Sequence, residues 1–279
     1  MNQTLVTGGS GLLGPYLVEA VRALGPVVTV GRHSGDYQCD MTDPGAVRDL
    51  IARVKPRKVV HCAAMTDVDQ CEGRPEMAER QNCYAVANVV EAMDGNGGLV
   101  LISTDQVYPD EPGPHCEGME NPVNVYGRTK LAGEREALQH SESLILRVNF
   151  FGASRTQGRL SLSDWLINNL RSEQEITLFS DSYFSPLHLS TLADTIVASM
   201  TKGLSGVFNL GSREGASKAD FCLSVAQRLG LSTHKAKTGP SLDMQGRAPR
   251  PLDLRMDVSK IEEALAIRMP SLDEEIAKL

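Results

Sequence analysis

The sequence predicts an α/β protein built on a doubly wound parallel sheet. Through the first 150 residues, short apolar strands alternate with helices, the pattern of a parallel sheet with helices on both faces. A glycine-rich turn joins the first strand to the first helix, and hydroxyl and acidic residues follow the fourth strand. Because such sheets bind ligands beyond the carboxyl ends of their strands, these two segments predict a ligand site at that edge.

The elements of the first half follow in chain order. Strands are predicted at 2–6, 27–30, 58–61, 98–103 and 144–148. Helices are predicted from the glycine turn to about residue 24, and at 43–54, 75–93 and 126–139. Asp43 as N-cap, with Pro44 at the first helical position, marks the start of the second helix.

After residue 150 the alternation loosens. Helices are predicted at 162–171, 189–201 and 218–229, and a strand at 207–210. We therefore expect a dinucleotide-binding domain at 1–150 and a smaller substrate-binding region at 151–279, with 207–210 rejoining the sheet. The segment 238–257 is rich in Pro, Arg and Asp, and we expect an ordered loop over a cleft.

The glycine turn predicts a nucleotide site. Gly8, Gly11 and Gly14 are spaced three apart between a predicted strand and a predicted helix. Glycines there permit a tight turn and let backbone N–H groups approach a pyrophosphate at the helix N-terminus. An ordinary glycine-rich connection is the alternative. The cofactor residues expected in this turn are Gly8, Ser10, Gly11, Leu12 and Leu13.

The end of the second strand bears on the choice of nucleotide. Arg32 stands where an NAD-selective fold usually has Asp or Glu. Its guanidinium suits a 2′-phosphate, which it can bind in bidentate fashion, although a solvated surface arginine is an equal alternative. Asp40 and Met41 lie at the distance expected for an adenine contact, or else form an ordinary turn. The expected cofactor is NADP(H), with NAD(H) possible.

Small and hydroxyl-bearing residues end the third and fourth strands. Cys62, Ala63 and Ala64 would let the backbone lie against a dinucleotide, although close strand–helix packing would favour them too. Cys62 is interpreted as a packed wall residue rather than a nucleophile. Thr104 could donate a hydrogen bond to a substrate carbonyl, or simply cap the strand end.

Tyr126 and Lys130 provide the strongest catalytic signal. Four residues apart on a predicted helix, they share one face. There the ammonium can lower the pKa of the phenol and hold a nucleotide ribose, while the phenol transfers a proton. By itself this spacing is common, and two exposed helix residues are the alternative.

Composition and charge argue against several classes of function. The net charge of -7 disfavours nucleic acid or a membrane surface as a partner, since phosphate groups require a basic face. No apolar run approaches the roughly 18 residues of a membrane span, and no leader peptide is expected. The six cysteines and six histidines lack metal-ligand spacing, which predicts reduced thiols, no metal site and a cytoplasmic location.

Several runs carry a resemblance to a known family. They are the glycine turn 8–14, then 63–69, 103–108, 126–134 and 146–152, and in the second half 184–186, 192–194, 250–251 and 257–260. Over nearly its whole length the chain resembles the extended short-chain dehydrogenase/reductases, and within them the dTDP-4-dehydrorhamnose reductase family. The resemblance implies a Rossmann-type fold.

The resemblance also implies a reaction, hydride transfer from a reduced nicotinamide to the C4 ketone of a nucleotide-linked deoxysugar. Tyr126 would deliver a proton to the forming alkoxide, Lys130 would lower the phenol pKa and bind the ribose, and Thr104 would orient the ketone. Thr66 joins the implied cofactor contacts. The residues implied for the sugar and the diphosphate are Asp105, Tyr108, Asn149 and Arg250.

Two departures from the family pattern bear on substrate preference. Phe150 stands where a Trp is frequent, and Tyr108 replaces a more usual Phe. Relatives in this group also include NADP-binding regulatory subunits, for instance of methionine adenosyltransferase, so a regulatory subunit is an alternative function. A sugar epimerase with tightly held NAD is a third. The expected partner is a nucleotide sugar, and the expected assembly a monomer or a homodimer.

Overall fold

The computed structural model describes residues 3–241 and 246–279. The described strands are β1 (Thr4–Thr7), β2 (Val27–Gly31), β3 (Tyr37–Gln38), β4 (Lys58–His61), β5 (Gly98–Thr104), β6 (Ser143–Val148), β7 (Phe150–Phe151), β8 (Ile176–Phe179), β9 (Tyr183–Phe184), β10 (Leu187–His188), β11 (Gly206–Leu210), β12 (Ala216–Ser217), β13 (Ala236–Gly239) and β14 (Asp253–Leu254). The described α-helices are α1 (Gly14–Val21), α2 (Pro44–Val54), α3 (Val68–Gly73), α4 (Pro75–Glu79), α5 (Ala85–Met93), α6 (Val125–Ala137), α7 (Leu162–Arg171), α8 (Leu189–Lys202), α9 (Lys218–Leu229), α10 (Ser259–Leu265) and α11 (Leu272–Ile276).

A seven-stranded sheet forms the centre of the fold. Its order is β11-β6-β5-β4-β1-β2-β3, and every neighbouring pair runs parallel. The predicted α/β class with a doubly wound parallel sheet is therefore confirmed. The chain reverses its direction of travel across the sheet between β1 and β4, so a crevice opens beyond the carboxyl ends of these strands.

Two apolar layers cover the sheet. On one face, Leu17 of α1 and Ile196 of α8 belong to the core that also holds Val6 of β1. On the other face, Val47 of α2 and Val89 of α5 pack into a separate buried cluster. Burying both faces removes from water the continuous apolar runs that parallel strands carry.

Local signals in the sequence account for most element boundaries. Asp43 caps α2 as predicted, accepting hydrogen bonds from the backbone N–H of Gly45 and of Ala46. The first helix is shorter than predicted, since α1 ends at Val21 and a 3₁₀ turn continues to Leu24. The helix predicted at 75–93 is α4 and α5 joined by a π-helical turn at Arg80–Tyr84.

The prediction for the first strand overlaps β1 but begins at Asn2, which lies outside the described residues. The strand predicted at 207–210 is β11, and it rejoins the sheet beside β6 as expected. The tail predicted as a loop at 238–257 begins in β13 and includes β14. Its residues 242–245 lie outside the described part.

The second half of the chain contributes to both the sheet and a core of its own. Phe151, Leu166, Phe184 and Phe221 form a buried cluster of the C-terminal region. Yet α8 and β11 pack into the core around the sheet. The division at residue 150 stays a prediction, and the core around the sheet contains residues of both halves. Among the described residues, no helix is both long and apolar enough to cross a membrane.

Candidate active site

A cleft of about 500 Å³ lies beyond the carboxyl ends of β1, β4 and β5. Of the residues predicted for cofactor, catalysis and substrate, all but Tyr108 line it. They are Gly8, Ser10, Gly11, Leu12, Leu13, Arg32, Asp40, Met41, Cys62, Ala63, Ala64, Thr66, Thr104, Asp105, Tyr126, Lys130, Asn149 and Arg250. Further lining residues that the sequence did not single out include Thr42, Gln81, Arg159 and Lys218.

The glycine turn can pack closely against neighbouring backbone because its side chains are absent. Gly8 has a φ of +71°, and a Cβ built there would lie 2.8 Å from the backbone N of Ala63. A Cβ on Gly14 would lie 2.3 Å from the carbonyl O of Gly9. Leu13, the N-cap of α1, has no polar side chain, so it leaves the first N–H groups of the helix available to an anion.

One part of the cleft is lined by the carboxyl end of β2 and by the segment that follows β3. The carboxylate Oδ1 of Asp40 accepts hydrogen bonds of 2.9 Å from both the N–H and the hydroxyl of Thr42. The backbone hydrogen bond from Thr42 lowers the pKa of Asp40, and the nearby positive charge of Arg32 lowers it further. Arg32 lines the cleft there, and its side chain is exposed.

The first turn of α6 brings the predicted catalytic residues together. Asn124 caps the helix by accepting a 2.8 Å hydrogen bond from the N–H of Gly127. A Cβ on Gly127 would lie 2.1 Å from the carbonyl O of Gln106. This close approach between α6 and the turn after β5 places Tyr126 against Thr104, and all three predicted catalytic residues, Lys130 included, are buried.

The electrostatics of these three residues differ from the prediction in one respect. Lys130 does not contact the phenol; its Nζ donates a 2.7 Å hydrogen bond to the carbonyl O of Ile102. Burial raises the pKa of Tyr126, nearby Asp105 raises it further, and the hydrogen bond with Thr104 lowers it. The expected lowering of the phenol pKa by Lys130 is therefore wrong for this geometry. Burial lowers the pKa of Lys130 to about 8.

Asp105 lines the cleft and follows Thr104 in the chain. Its carboxylate is 2% exposed and accepts hydrogen bonds from the side chains of Asn149 and Thr104. Burial raises the pKa of Asp105 to about 6.

Lys218 also lines the cleft, and its positive charge lowers the pKa of Asp105. Lys218 is the first residue of α9, where a positive charge is unfavourable because it opposes the helix dipole. That unfavourable position is the sequence signal that could have marked Lys218 as a site residue.

Tyr108 is the predicted site residue that the structure does not bring into the cleft. It is fully buried, and its hydroxyl donates a 2.6 Å hydrogen bond to Oδ1 of Asn209. It also accepts a 3.0 Å hydrogen bond from Arg147, which is paired with Glu134. The predicted contact with sugar or diphosphate is wrong, because this tyrosine satisfies a buried polar network that links β5, β6, α6 and β11.

Two other predictions are refined by their surroundings. Burial raises the pKa of the Cys62 thiol to about 12, which keeps it protonated and fits the wall residue that the sequence indicated. Arg250 lines the cleft while its guanidinium forms a bidentate pair with Asp69 of α3, with a 2.8 Å contact.

All six cysteines fall within the described residues and are free thiols. Among the described side chains, no group of His, Cys, Asp and Glu is placed to hold a metal ion.

Comparison with known proteins gives the family. The model of the RmlD substrate binding domain matches residues 1–279. The chain belongs to this family. A probable low-salt glycan biosynthesis reductase of Haloferax volcanii is 31% identical, over 98% of this chain and 96% of that protein. The dTDP-4-dehydrorhamnose reductase of Shigella flexneri is 28% identical, over 95% of this chain and 93% of that enzyme. Methionine adenosyltransferase 2 subunit beta of Xenopus laevis is also 28% identical, over 94% of this chain and 82% of that subunit.

Solved structures agree with the fold of this RmlD-family chain. A hypothetical dTDP-4-dehydrorhamnose reductase of Sulfolobus tokodaii superimposes with a TM-score of 0.87 at 30% identity, over 97% of this chain and 98% of that one. A dTDP-4-dehydrorhamnose reductase of Bacillus anthracis, solved with NADP, gives a TM-score of 0.90 over 99% and 98%. At 22% identity the second likeness shows the fold alone.

Proposed function

We propose that this protein is an NAD(P)H-dependent oxidoreductase that reduces the C4 ketone of a nucleotide-linked deoxysugar. The observation that carries the proposal is the burial of Thr104, Tyr126 and Lys130 in a cleft that also contains the glycine turn. A place in the short-chain dehydrogenase/reductase superfamily is part of the proposal, as is a substrate like that of the relatives named dTDP-4-dehydrorhamnose reductase.

The residues of the cleft fit a nicotinamide dinucleotide. The backbone at Gly8 and the start of α1 would receive the pyrophosphate, Arg32 a 2′-phosphate, and Lys130 the ribose next to the nicotinamide. This arrangement favours NADP(H) over NAD(H), since Arg32 supplies a cation where an acid would otherwise bind the free ribose hydroxyl. When bound, the reduced cofactor supplies the hydride.

The side chains of the chain supply the proton. Because burial raises the pKa of Tyr126, the phenol is protonated at neutral pH and can act as a donor. Thr104, which interacts with the phenol, would hold the ketone oxygen beside it. The hydrogen bond with Thr104, which lowers the pKa of the phenol, would stabilise the phenolate that forms as the proton leaves.

The proposal is tested by following oxidation of NADPH and of NADH with a panel of nucleotide 4-keto-6-deoxysugars. We expect turnover with at least one sugar, and a fall of roughly 10²- to 10⁴-fold in kcat for Tyr126→Phe, because a positioned proton donor is lost. The affinity for NADPH should be unchanged, since the ring remains in place.

Tyr84→Phe is the matched control, because Tyr84 is an exposed tyrosine on the surface of the same half of the chain. It should keep wild-type kcat. Reduction of a substrate by Tyr126→Phe at the wild-type rate would contradict the assignment of the proton donor.

A regulatory subunit is the second candidate function. The relative named methionine adenosyltransferase 2 subunit beta is 28% identical to this chain, the same identity as the dTDP-4-dehydrorhamnose reductase of Shigella flexneri. Tight NADPH binding with no turnover across the whole panel would favour this candidate. Nicotinamide retained through purification would favour an epimerase. We further propose a cytoplasmic location, with reduced cysteines, and a monomer or homodimer.

A further inference from the structure

Lys218 is a cation that lines the cleft and has no role in the proton transfer or cofactor binding proposed above. It is partly buried in the first turn of α9, with its Nζ 6.0 Å from the ring centre of Phe184. Among the described residues, no carboxylate lies within 4.0 Å of this ammonium, and no acceptor lies within hydrogen-bond distance. An ammonium held in a cleft without a partner is positioned for a ligand.

Asp105 lines the same cleft as Lys218, and its negative charge interacts with the ammonium. The two opposite charges interact, yet they do not form a direct ion pair. A group that fits between them must donate a hydrogen bond to the carboxylate and accept one from the ammonium. A hydroxyl does both, whereas a phosphate oxygen has no proton to donate to Asp105.

The position of this pair relative to Thr104 indicates which hydroxyl it would bind. Asp105 is the next residue after Thr104, which interacts with the phenol of Tyr126. The pair therefore lies beside the carbon that would be reduced. In a 4-keto-6-deoxyhexose, the carbon atoms next to the ketone are C3, which carries a hydroxyl, and C5, which carries a methyl group.

We propose that Lys218 and Asp105 together bind the C3 hydroxyl of the sugar, making Lys218 a specificity-determining residue. The inference rests on the proposed function. Arg250, which also lines the cleft, and Arg247 are further cations close enough to influence Lys218. Arg159 also lines the cleft, and we assign the diphosphate to the arginine side chains there rather than to Lys218.

The test measures binding rather than turnover, so that it stands apart from the test of the reaction. Calorimetry with the protein saturated with NADP⁺ compares a nucleotide 4-keto-6-deoxyhexose with its 3-deoxy analogue, for wild type and for Lys218→Met. For wild type we expect the missing hydroxyl to weaken binding about 10- to 100-fold, the usual worth of a hydrogen bond to a charged group.

Lys218→Met should weaken binding of the hydroxylated nucleotide by a similar factor and have little further effect on the 3-deoxy analogue. Its affinity for NADP⁺ and for the free nucleoside diphosphate should equal that of wild type. Lys237→Met, at an exposed lysine in β13, is the control and should bind both sugars normally.

Equal losses with both sugar nucleotides would overturn the inference, as would a loss of affinity for the free nucleoside diphosphate, which would place Lys218 on the phosphates. If wild type binds neither sugar nucleotide, the proposed function and the inference both fail. If it binds them with the expected pattern but shows no turnover with NADPH, only the proposed reaction fails.

Discussion

Asp105 shows how a single residue can favour the site at the expense of the fold. Its side chain is 2% exposed, and burial raises its pKa from 3.8 to about 6. A carboxyl whose pKa is raised on folding contributes stability that is fully present below the unfolded pKa and is lost as the pH rises through about 6. At neutral pH the folded protein therefore carries the cost of a buried charge.

We expect Asp105→Asn to raise the free energy of unfolding at pH 8 by up to about 3 kcal/mol. This follows because the pKa of Asp105 rises from 3.8 to about 6 on folding, and each pKa unit corresponds to roughly 1.4 kcal/mol. At pH 3 the gain should vanish, because the wild-type carboxyl is then protonated in both states. Urea unfolding at the two pH values measures the difference. Asp49→Asn, at an exposed acid in α2, should show no such pH dependence, and a gain for Asp105→Asn that is equal at both pH values would contradict the argument.

Residues of the site were predictable where a local pattern placed them. Thr104 follows a strand, Tyr126 and Lys130 share a helix face, and both arrangements are set by neighbours in the sequence. The burial of Tyr108 was not predicted and Lys218 was not singled out, because their surroundings come from distant segments. Tyr108 is enclosed through Arg147 and Asn209, and Lys218 reaches the cleft from the second half of the chain.

At the scale of an element, the first turn of α6 depends on a residue that has no side chain. Gly127 lets the helix pack against the carbonyl of Gln106, and this contact sets the position of Tyr126 beside Thr104. The glycine therefore acts on the site through the placement of the helix.

We expect Gly127→Ala to lower the free energy of unfolding by about 1 to 3 kcal/mol, since its Cβ would lie 2.1 Å from a backbone oxygen and α6 must shift. The same shift should move Tyr126 and reduce kcat. Thermal unfolding and NADPH oxidation measure the two effects. Gly73→Ala in α3 is the control: its Cβ meets nothing within 4 Å, so stability should stay within about 1 kcal/mol of wild type. Equal stability of both variants would refute the close-contact argument.

Elements were predicted well where caps mark them. The predicted helices at 162–171 and 218–229 agree with α7 and α9, which begin after the capping serines Ser161 and Ser217. Two-residue strands such as β3 and β9 were missed, because so short a segment has no periodicity to read. Their pairing is decided by the chain that lies next to them.

The whole molecule is held together by a core that both halves of the sequence build. Leu17 of α1 and Ile196 of α8 are fully buried in the same cluster, although one belongs to each half. A boundary drawn at residue 150 follows the change of sequence pattern, whereas the buried surface crosses it. The sequence could not reveal this, since the partner of an apolar helix face is a property of the folded chain.

We expect Leu17→Ala and Ile196→Ala each to lower the free energy of unfolding by about 2 to 5 kcal/mol, by leaving a cavity in the shared core. Both should shift one common transition, because the core they weaken belongs to both halves. Denaturant unfolding followed by circular dichroism and by fluorescence of Trp165 in α7 measures this. Two separate transitions, with only one shifted by each variant, would indicate independent domains.

The pairing of β6 with β11 has a consequence for how the protein is made. Sixty-two residues separate Leu144 from Gly206, its register partner. At the usual synthesis rate of about 5 to 20 residues per second, a nascent chain waits about 3 to 12 s between the emergence of the two strands. During that interval β6 presents an unpaired edge, the kind of surface that joins other strands. Translation speed between these two strands therefore sets how long each new chain is open to aggregation and to capture by chaperones.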